Sequence, residues 1–296
     1  MTALIFGANG QDGPYLVEAL RARGIEAVGV SRSGPWRRGD VAVRADVEAA
    51  VREVRPAYIF QLAASSTTRH EALHENHESI STGALNVLES ARLHAPEARV
   101  FLAGSGLQFE NAGAPIDETA PFEASSPYAL ARIHSVYAAR YFRSRGLRTY
   151  VGYLFHHDSP RRGPRHVAQL VARAARRIGA GSDEVLELAD TSVVKEWTFA
   201  GDVARAMVTL CAQDDINEAV IGSGEGHSIA EWVERCFAVV GRTWRDHVRL
   251  TPGGRGEYPR LISRPARLRS LGWRPEVTFD QLAEMMVAAP EGGAGR

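Results

Sequence analysis

Short apolar runs alternate with stretches of helical period along the first half of the chain. ALIFG (3–7) reads as a strand, and YLVEALRARG (15–24) as the helix after it, stopping at Gly24. EAVGV (26–30), AYIFQLA (57–63), RVFLAGS (99–105) and TYVGYLF (149–155) read as further strands. Helical patterns separate them at 46–54, about 77–94 and about 127–145. Each strand is apolar at consecutive rather than alternate positions. That is the pattern of strands covered on both faces, and with strand–helix alternation it predicts an α/β doubly wound parallel sheet.

Past Phe155 the pattern loosens. HHDSPRRGPRH is polar and basic, a helix is expected at about 165–179, EVLEL (184–188) follows, and then another helix at about 201–212. The last stretch mixes short helices with Gly/Pro-rich loops such as TPGGRGEYPR. We read residues 1–155 as the sheet domain, with returning segments from about 185–225. Residues 156–184 and 226–290 form a smaller C-terminal α/β substrate lobe over the sheet's C-terminal edge, and 291–296 a disordered tail.

Composition narrows the classes. The 296 residues are 45% hydrophobic and 24% charged, with a formal net charge of zero, so no global field favours nucleic acid or anionic membrane. Cys211 and Cys236 are too few for a disulfide framework or a four-cysteine zinc site. No apolar run approaches the ~18 residues of a membrane span, and no leader precedes the first strand, so a cytoplasmic location is expected. His70, His74 and His77 would share a helix face, but nothing nearby completes a metal site, and none is expected. Of the 35 basic residues only Lys195 is lysine. An arginine at a position where lysine is usual therefore carries less meaning here than elsewhere.

Between the first strand and its helix stands GANGQDG, with Gly7, Gly10 and Gly13 three residues apart. At such a join one glycine permits the tight turn, one lets the backbone approach a pyrophosphate, and one lets helix and strand pack closely. Exposed N–H groups and the helix N-terminus then hold the phosphates. Dinucleotide binding follows, with Gln11 and Asp12 beside the glycines and Leu62, Ala63 and Ala64 at the end of the strand at 57–63. The end of the second strand, GVSRSGP, has Arg32 between two serines and no acid. A cation and hydroxyls suit a 2′-phosphate, so NADP is favoured over NAD.

SSPYALARIHS (125–135) puts Tyr128 and Arg132 one helical turn apart on one face, and AGSG (103–106) ends a strand at Ser105. Here the chain resembles the extended short-chain dehydrogenase/reductases, the NAD-dependent epimerase/dehydratase superfamily, with their Rossmann-like fold. The resemblance implies Ser105, Tyr128 and Arg132 as the catalytic set. The tyrosine would move a proton at a sugar hydroxyl or carbonyl during hydride transfer, and Arg132 stands where the family has lysine. Tyr128 and Arg132 would also touch the cofactor, and Asp46 matches the acid that meets adenine.

Within that superfamily the chain is most similar to the GDP-mannose 4,6-dehydratases. GANGQDGPYL, SPYALAR, LFHHDSPRRG (154–163) and LGWRPEVTF (271–279) carry the likeness over about residues 1–285. It implies a nucleotide-sugar substrate, GDP-linked, in a cytoplasmic homodimer or homotetramer. The substrate-side candidates are Ser65, His156, His157, Arg161, Arg162, Lys195, Arg255 and Tyr258. His156 and His157 either touch substrate hydroxyls or supply a proton, since histidine titrates near neutral pH.

One departure decides the expected chemistry. Those dehydratases carry a glutamate two residues after the active-site Ser/Thr, and it removes the C5 proton. Setting AGSGLQF on that segment puts Leu107 at the glutamate. Leucine cannot accept a proton, Gln108 is not basic, and Glu110 is distant. The expectation is hydride transfer at C4, as a 4-keto-sugar reductase or epimerase. The alternatives are a 4,6-dehydratase using another base and a non-catalytic binder of NADP and nucleotide sugar.

Overall fold

The computed structural model describes residues 1–251 and 257–290. In chain order the strands of the first half are β1 (Thr2–Phe6), β2 (Glu26–Ser31), β3 (Arg37–Arg38), β4 (Tyr58–Gln61), β5 (Arg99–Ser105) and β6 (Arg148–Leu154). They pair parallel throughout. With β11 (Glu218–Ile221) they form a seven-stranded sheet in the order β11-β6-β5-β4-β1-β2-β3. The chain winds one way from β1 and the other way from β4, so the topological switch lies between those two strands.

Consecutive residues of a strand enter opposite layers. Val100 and Leu102 of β5 pack with helices α2 (Arg44–Val54), α4 (Gly83–His94) and α5 (Pro127–Ser144). Phe101 and Ala103 pack on the other face with α1 (Asp12–Arg21) and α7 (Ala200–Cys211). Both sets are buried, which is why the strands read as unbroken apolar runs.

The second body holds the remaining strands as small pairs. β7 (His157–Asp158) pairs with β10 (Thr198–Phe199), and β8 (Leu186–Leu188) with β13 (Val248–Leu250). β9 (Val194–Lys195) lies between β12 (His227–Ser228) and β14 (Arg260–Leu261). Helices α6 (Val167–Gly179), α8 (Ile229–Val239) and α10 (Phe279–Ala288) bury Trp232, Phe237 and Met286 among themselves, with Trp197 stacked on Trp232 at 4.4 Å.

Three boundaries differ from the sequence reading. The return to the sheet starts at α7, not near 185, because β8 and β9 find their ladder partners in the lobe. Leu268 of the short α9 (Ala266–Ser270) and Trp273 pack under the sheet with α7, so this part of the expected lobe belongs to the first body. The helix expected at 77–94 runs from α3 (Leu73–Asn76) through a π-helical turn, His77–Thr82, into α4. Buried Glu196 ties the crossings together by accepting from the Ser263 N–H and the Ser223 hydroxyl. The tail 291–296 lies outside the described residues.

Candidate active site

The C-terminal ends of β1, β4, β5 and β6 open onto one continuous depression, where ligands of doubly wound sheets sit. Its first part is a groove of about 370 Å³ lined by Gly7, Gly10, Gln11, Asp12, Arg32, Leu62, Ala63 and Ala64, among others. The second is a cleft of about 210 Å³ lined by Ser105, Leu107, Tyr128, Arg132, His156, His157 and Tyr258 among others. Asp12, Leu62, Ala64, Ser66 and Arg162 line both, so the two are joined.

The glycines have separate reasons. Gly7 has φ +85°, and a Cβ there would lie 2.6 Å from the Ala63 backbone nitrogen, where the β1 and β4 turns meet at the switch point. A Cβ on Gly13 would lie 2.1 Å from the Ala8 carbonyl oxygen, so this glycine sets the helix–strand approach and is not in the groove wall. Gly10 meets only the Gly7 carbonyl oxygen, at 3.2 Å, and otherwise faces open groove. The cradle a side chain would fill, with the start of α1 behind it, fits a dinucleotide pyrophosphate.

At the far end of the groove Arg32 is exposed, its side chain at 78%, and it stands 3.9 Å from Asp40. Asp40 lines the groove too and was not singled out from sequence, since it lies in the turn after β3 and not at the end of β2. Asp46 accepts the Asp40 N–H at 2.9 Å and braces that turn from behind, outside the wall.

On the cleft side α5 begins with Ser126 as N-cap, its Oγ accepting from the Ala129 N–H at 3.1 Å, and Pro127 in the first turn. That start fixes the face carrying Tyr128 and Arg132. The Arg132 guanidinium lies 5.1 Å from the Tyr128 ring centre and donates to the Ala103 carbonyl. Tyr128 packs on Ile80 of the π turn and on Ala131. Ser105 closes β5 opposite Leu154 and caps the next turn: its Oγ accepts from the Leu107 N–H, and the Gln108 side-chain oxygen accepts from its N–H at 2.8 Å. Gln108 is therefore buried in a capping role, Leu107 supplies an apolar wall, and exposed Glu110 is outside the cleft.

Two histidines enter the cleft from the segment after β6, with pKa values shifted in opposite directions. The His157 Nδ1 faces the Phe155 carbonyl at 2.8 Å and its Nε2 faces Asp12 at 3.0 Å. Both neighbours are acceptors, so the imidazolium satisfies both. Burial alone would lower the pKa, but the Asp12 charge and hydrogen bond raise it above 6.5. For Asp12, burial acts upward, yet His157 and Arg162 hold it below 3.8. His156 has its Nε2 2.6 Å from Asp158 and its ring edge-on to Trp197. Burial and the Lys195 charge push it down to about 3 despite Asp158. Fully buried Asp158 is pulled the same way against desolvation, by His156, Arg162 and Lys195, and stays an anion.

Several candidates from sequence stand away from the depression. Ser65 turns its N–H to the Ser79 hydroxyl, and its neighbour Ser66 lines the walls instead. Arg161 is exposed outside both walls, whereas Arg162 reaches them with Asp158 3.4 Å from its Nε. Lys195 is buried behind the wall, its Nζ 4.6 Å from the Trp197 ring centre, and burial lowers it to about 8. Arg255 lies outside the described residues. Asp158 was missed because its importance comes from β7 packing, which no local pattern records.

The Asp12–His157 pair gives a pH test. The lowered carboxyl stabilises the fold above pH 3.8 and loses that effect as pH falls through its folded value. The raised imidazole stabilises fully below pH 6.5 and loses it as pH rises through its folded value. Asp12→Asn is therefore expected to lower Tm most near pH 5–6 and least once pH passes the raised imidazole value, by several degrees for the ~1.5–3 kcal/mol of a charged hydrogen bond. A Tm difference that is flat across pH 5–9 would refute the pairing.

The family model described as GDP-mannose 4,6 dehydratase matches residues 34–286. GDP-mannose 4,6 dehydratase 2 of Arabidopsis thaliana is 30% identical, covering 96% of this chain and 85% of its own. GDP-mannose 4,6-dehydratase of Vibrio cholerae is 26% identical, covering 96% and 92%. Among solved structures, the UDP-glucose 4-epimerase of Thermus thermophilus in complex with NAD is similar with a TM-score of 0.85 at 27% identity, covering 99% of each chain.

Proposed function

This chain belongs to the GDP-mannose 4,6-dehydratase family, and from that premise we propose that it is a nicotinamide-dependent nucleotide-sugar enzyme that transfers hydride at C4 without removing water, a 4-keto-sugar reductase or epimerase. The observation that carries the restriction is Leu107, an apolar wall residue where the family's dehydration base is expected. The relatives are named as dehydratases, so the proposal is a divergence within the family.

The groove residues fit the cofactor: Gly7 and Gly10 leave the cradle open, and Leu62, Ala63 and Ala64 form the opposite wall. When bound, the nicotinamide supplies or accepts hydride. The chain's own part is to hold the sugar against it, with Ser105 and Tyr128 at the reacting oxygen and Tyr128 moving the proton. We assign NADP in preference to NAD on Arg32, with Asp40 beside it setting the limit of that preference. Arg32→Ala is expected to lower the ratio of NADP to NAD affinity about tenfold, the ~1.4 kcal/mol of one exposed charge contact. An unchanged ratio of dissociation constants overturns the assignment.

A second reading has its own support. The Arg132 guanidinium donates to the Ala103 carbonyl, and its buried Nε has no hydrogen-bond partner. A cation held on the backbone is less available to a ribose, which suits a protein that binds nucleotides without turning them over. One experiment separates the readings. Thermal protection by GDP, UDP, CDP and dTDP derivatives, with NADP(H) and NAD(H), identifies what is bound. GDP-mannose with NADP is then expected to give no 4-keto-6-deoxy product, while GDP-4-keto-6-deoxymannose oxidises NADPH. Formation of the dehydrated product overturns the redox reading, and binding without any hydride transfer selects the second.

A further inference from the structure

We propose that His156, backed by Asp158, is the proton-transfer base of the cleft, acting on a carbon next to a sugar C4 ketone; this rests on the nucleotide-sugar reading above. The described cleft-lining residues leave few other bases. His157 has both ring nitrogens turned to acceptors, and the Asp12 charge favours its protonated form. Asp12 is the partner in that pair. Arg132 and Arg162 are cations, and burial pushes the Tyr258 phenol up to about 12. Leu107 has no proton to exchange, and Tyr128 is assigned to the carbonyl oxygen.

His156 differs from each of these. Its Nε2 stands 2.6 Å from a carboxylate that is fully buried and has Arg162 3.4 Å away on its other oxygen. The carboxylate is near enough to favour a proton on Nε2 by its charge, without the alignment of a hydrogen bond, and a proton on Nε2 leaves Nδ1 as the lone-pair nitrogen. The imidazole is neutral at working pH, the form a base requires. Burial weakens the base, so the step draws on the ketone's acidification of the C–H bond and on the Asp158 charge beside the forming imidazolium.

In the step, the C–H bond beside the C4 ketone breaks and its proton forms the Nδ1–H bond. The electron pair passes into a carbon–carbon double bond and the C4 oxygen becomes an enolate, hydrogen-bonded by the Tyr128 hydroxyl. Asp158 stabilises the imidazolium, and return of the proton to carbon restores the ketone. No hydroxyl leaves C6, because Leu107 supplies no acid to protonate it. The outcome is exchange or inversion at carbon rather than loss of water.

The test uses GDP-4-keto-6-deoxymannose in D₂O with the full chain and oxidised NADP. Deuterium at C3 or C5 is read by mass spectrometry and NMR, and NADPH oxidation with the same sugar is measured separately. Expected are exchange above the protein-free rate and its loss by about 10²-fold in His156→Asn. In His156→Ala, added imidazole should restore exchange, which a merely structural histidine would not allow. Hydride transfer without exchange in the unmodified protein overturns the assignment, as does exchange that persists in His156→Asn or an Ala variant that folds but ignores imidazole. Absence of nucleotide-sugar binding, of hydride transfer and of exchange together would instead overturn the functional reading beneath it.

Discussion

Replacing Tyr128 with phenylalanine is expected to lower turnover about 10²–10⁴-fold and to leave nucleotide affinity close to that of the unmodified protein. The substitution removes one hydroxyl and keeps the ring. That ring carries the packing on Ile80 and Ala131 and stands under the Arg132 guanidinium, so the start of α5 should hold its place. The hydroxyl is the group assigned to proton transfer at the carbonyl oxygen, and no other phenol lining the cleft is described except Tyr258. Stopped-flow oxidation of NADPH by a keto-sugar nucleotide, with cofactor affinity from fluorescence titration, separates the two quantities. A loss below tenfold would mean that the proton travels by another route. A matching loss of affinity would mean that the ring, not the hydroxyl, was the useful part.

The second large effect is expected at Gly10. A valine there meets only the Gly7 carbonyl at its Cβ, so the chain should fold with little change in Tm. Its methyl groups would stand in the groove where the pyrophosphate approaches. An overlap of that kind costs about 1–3 kcal/mol or more, and dinucleotide affinity should fall about 10–100-fold. Gly13→Val is the control with the opposite signature. Its Cβ would lie 2.1 Å from the Ala8 carbonyl oxygen, inside the strand–helix contact, so it should lose fold stability first. Normal dinucleotide affinity in a folded Gly10→Val protein would refute the phosphate role of this turn.

The two glycines also mark how far sequence could reach. Strands buried on both faces announce themselves as apolar runs, and β5 was read to the residue because nothing else in a chain looks like RVFLAGS between two helices. Helix α5 was legible from Ser126 and Pro127, a cap and a first turn. Local pattern ends there. The partner of His157 is Asp12, on another segment entirely, and no spacing rule brings them together. Asp158 became important only through the pairing of its own strand β7 with β10, which leaves it fully buried. Lys195 was conspicuous as the lone lysine, yet its alternate position on a two-residue strand turned it behind the wall. Of the adjacent candidates Arg161 and Arg162 only the second reaches the depression, and Ser65 is one residue away from Ser66, which lines it. In loops without a fixed period, sequence locates a wall more reliably than the residue that lines it.

The lacing of the chain between the two bodies has a kinetic consequence. The backbone leaves the sheet after β6, comes back for α7 and β11, leaves again, and returns for α9 and Trp273 before ending in the lobe at α10. Neither body is a contiguous stretch that could emerge from synthesis and fold alone. Closure of the cleft must wait for contacts far apart in sequence, and such contacts form slowly because the loops between them lose entropy first. A nucleotide that binds only the closed cleft would draw the folding equilibrium forward by mass action. Refolding yield from denaturant should then rise with dinucleotide concentration, making recovery itself a titration of the groove.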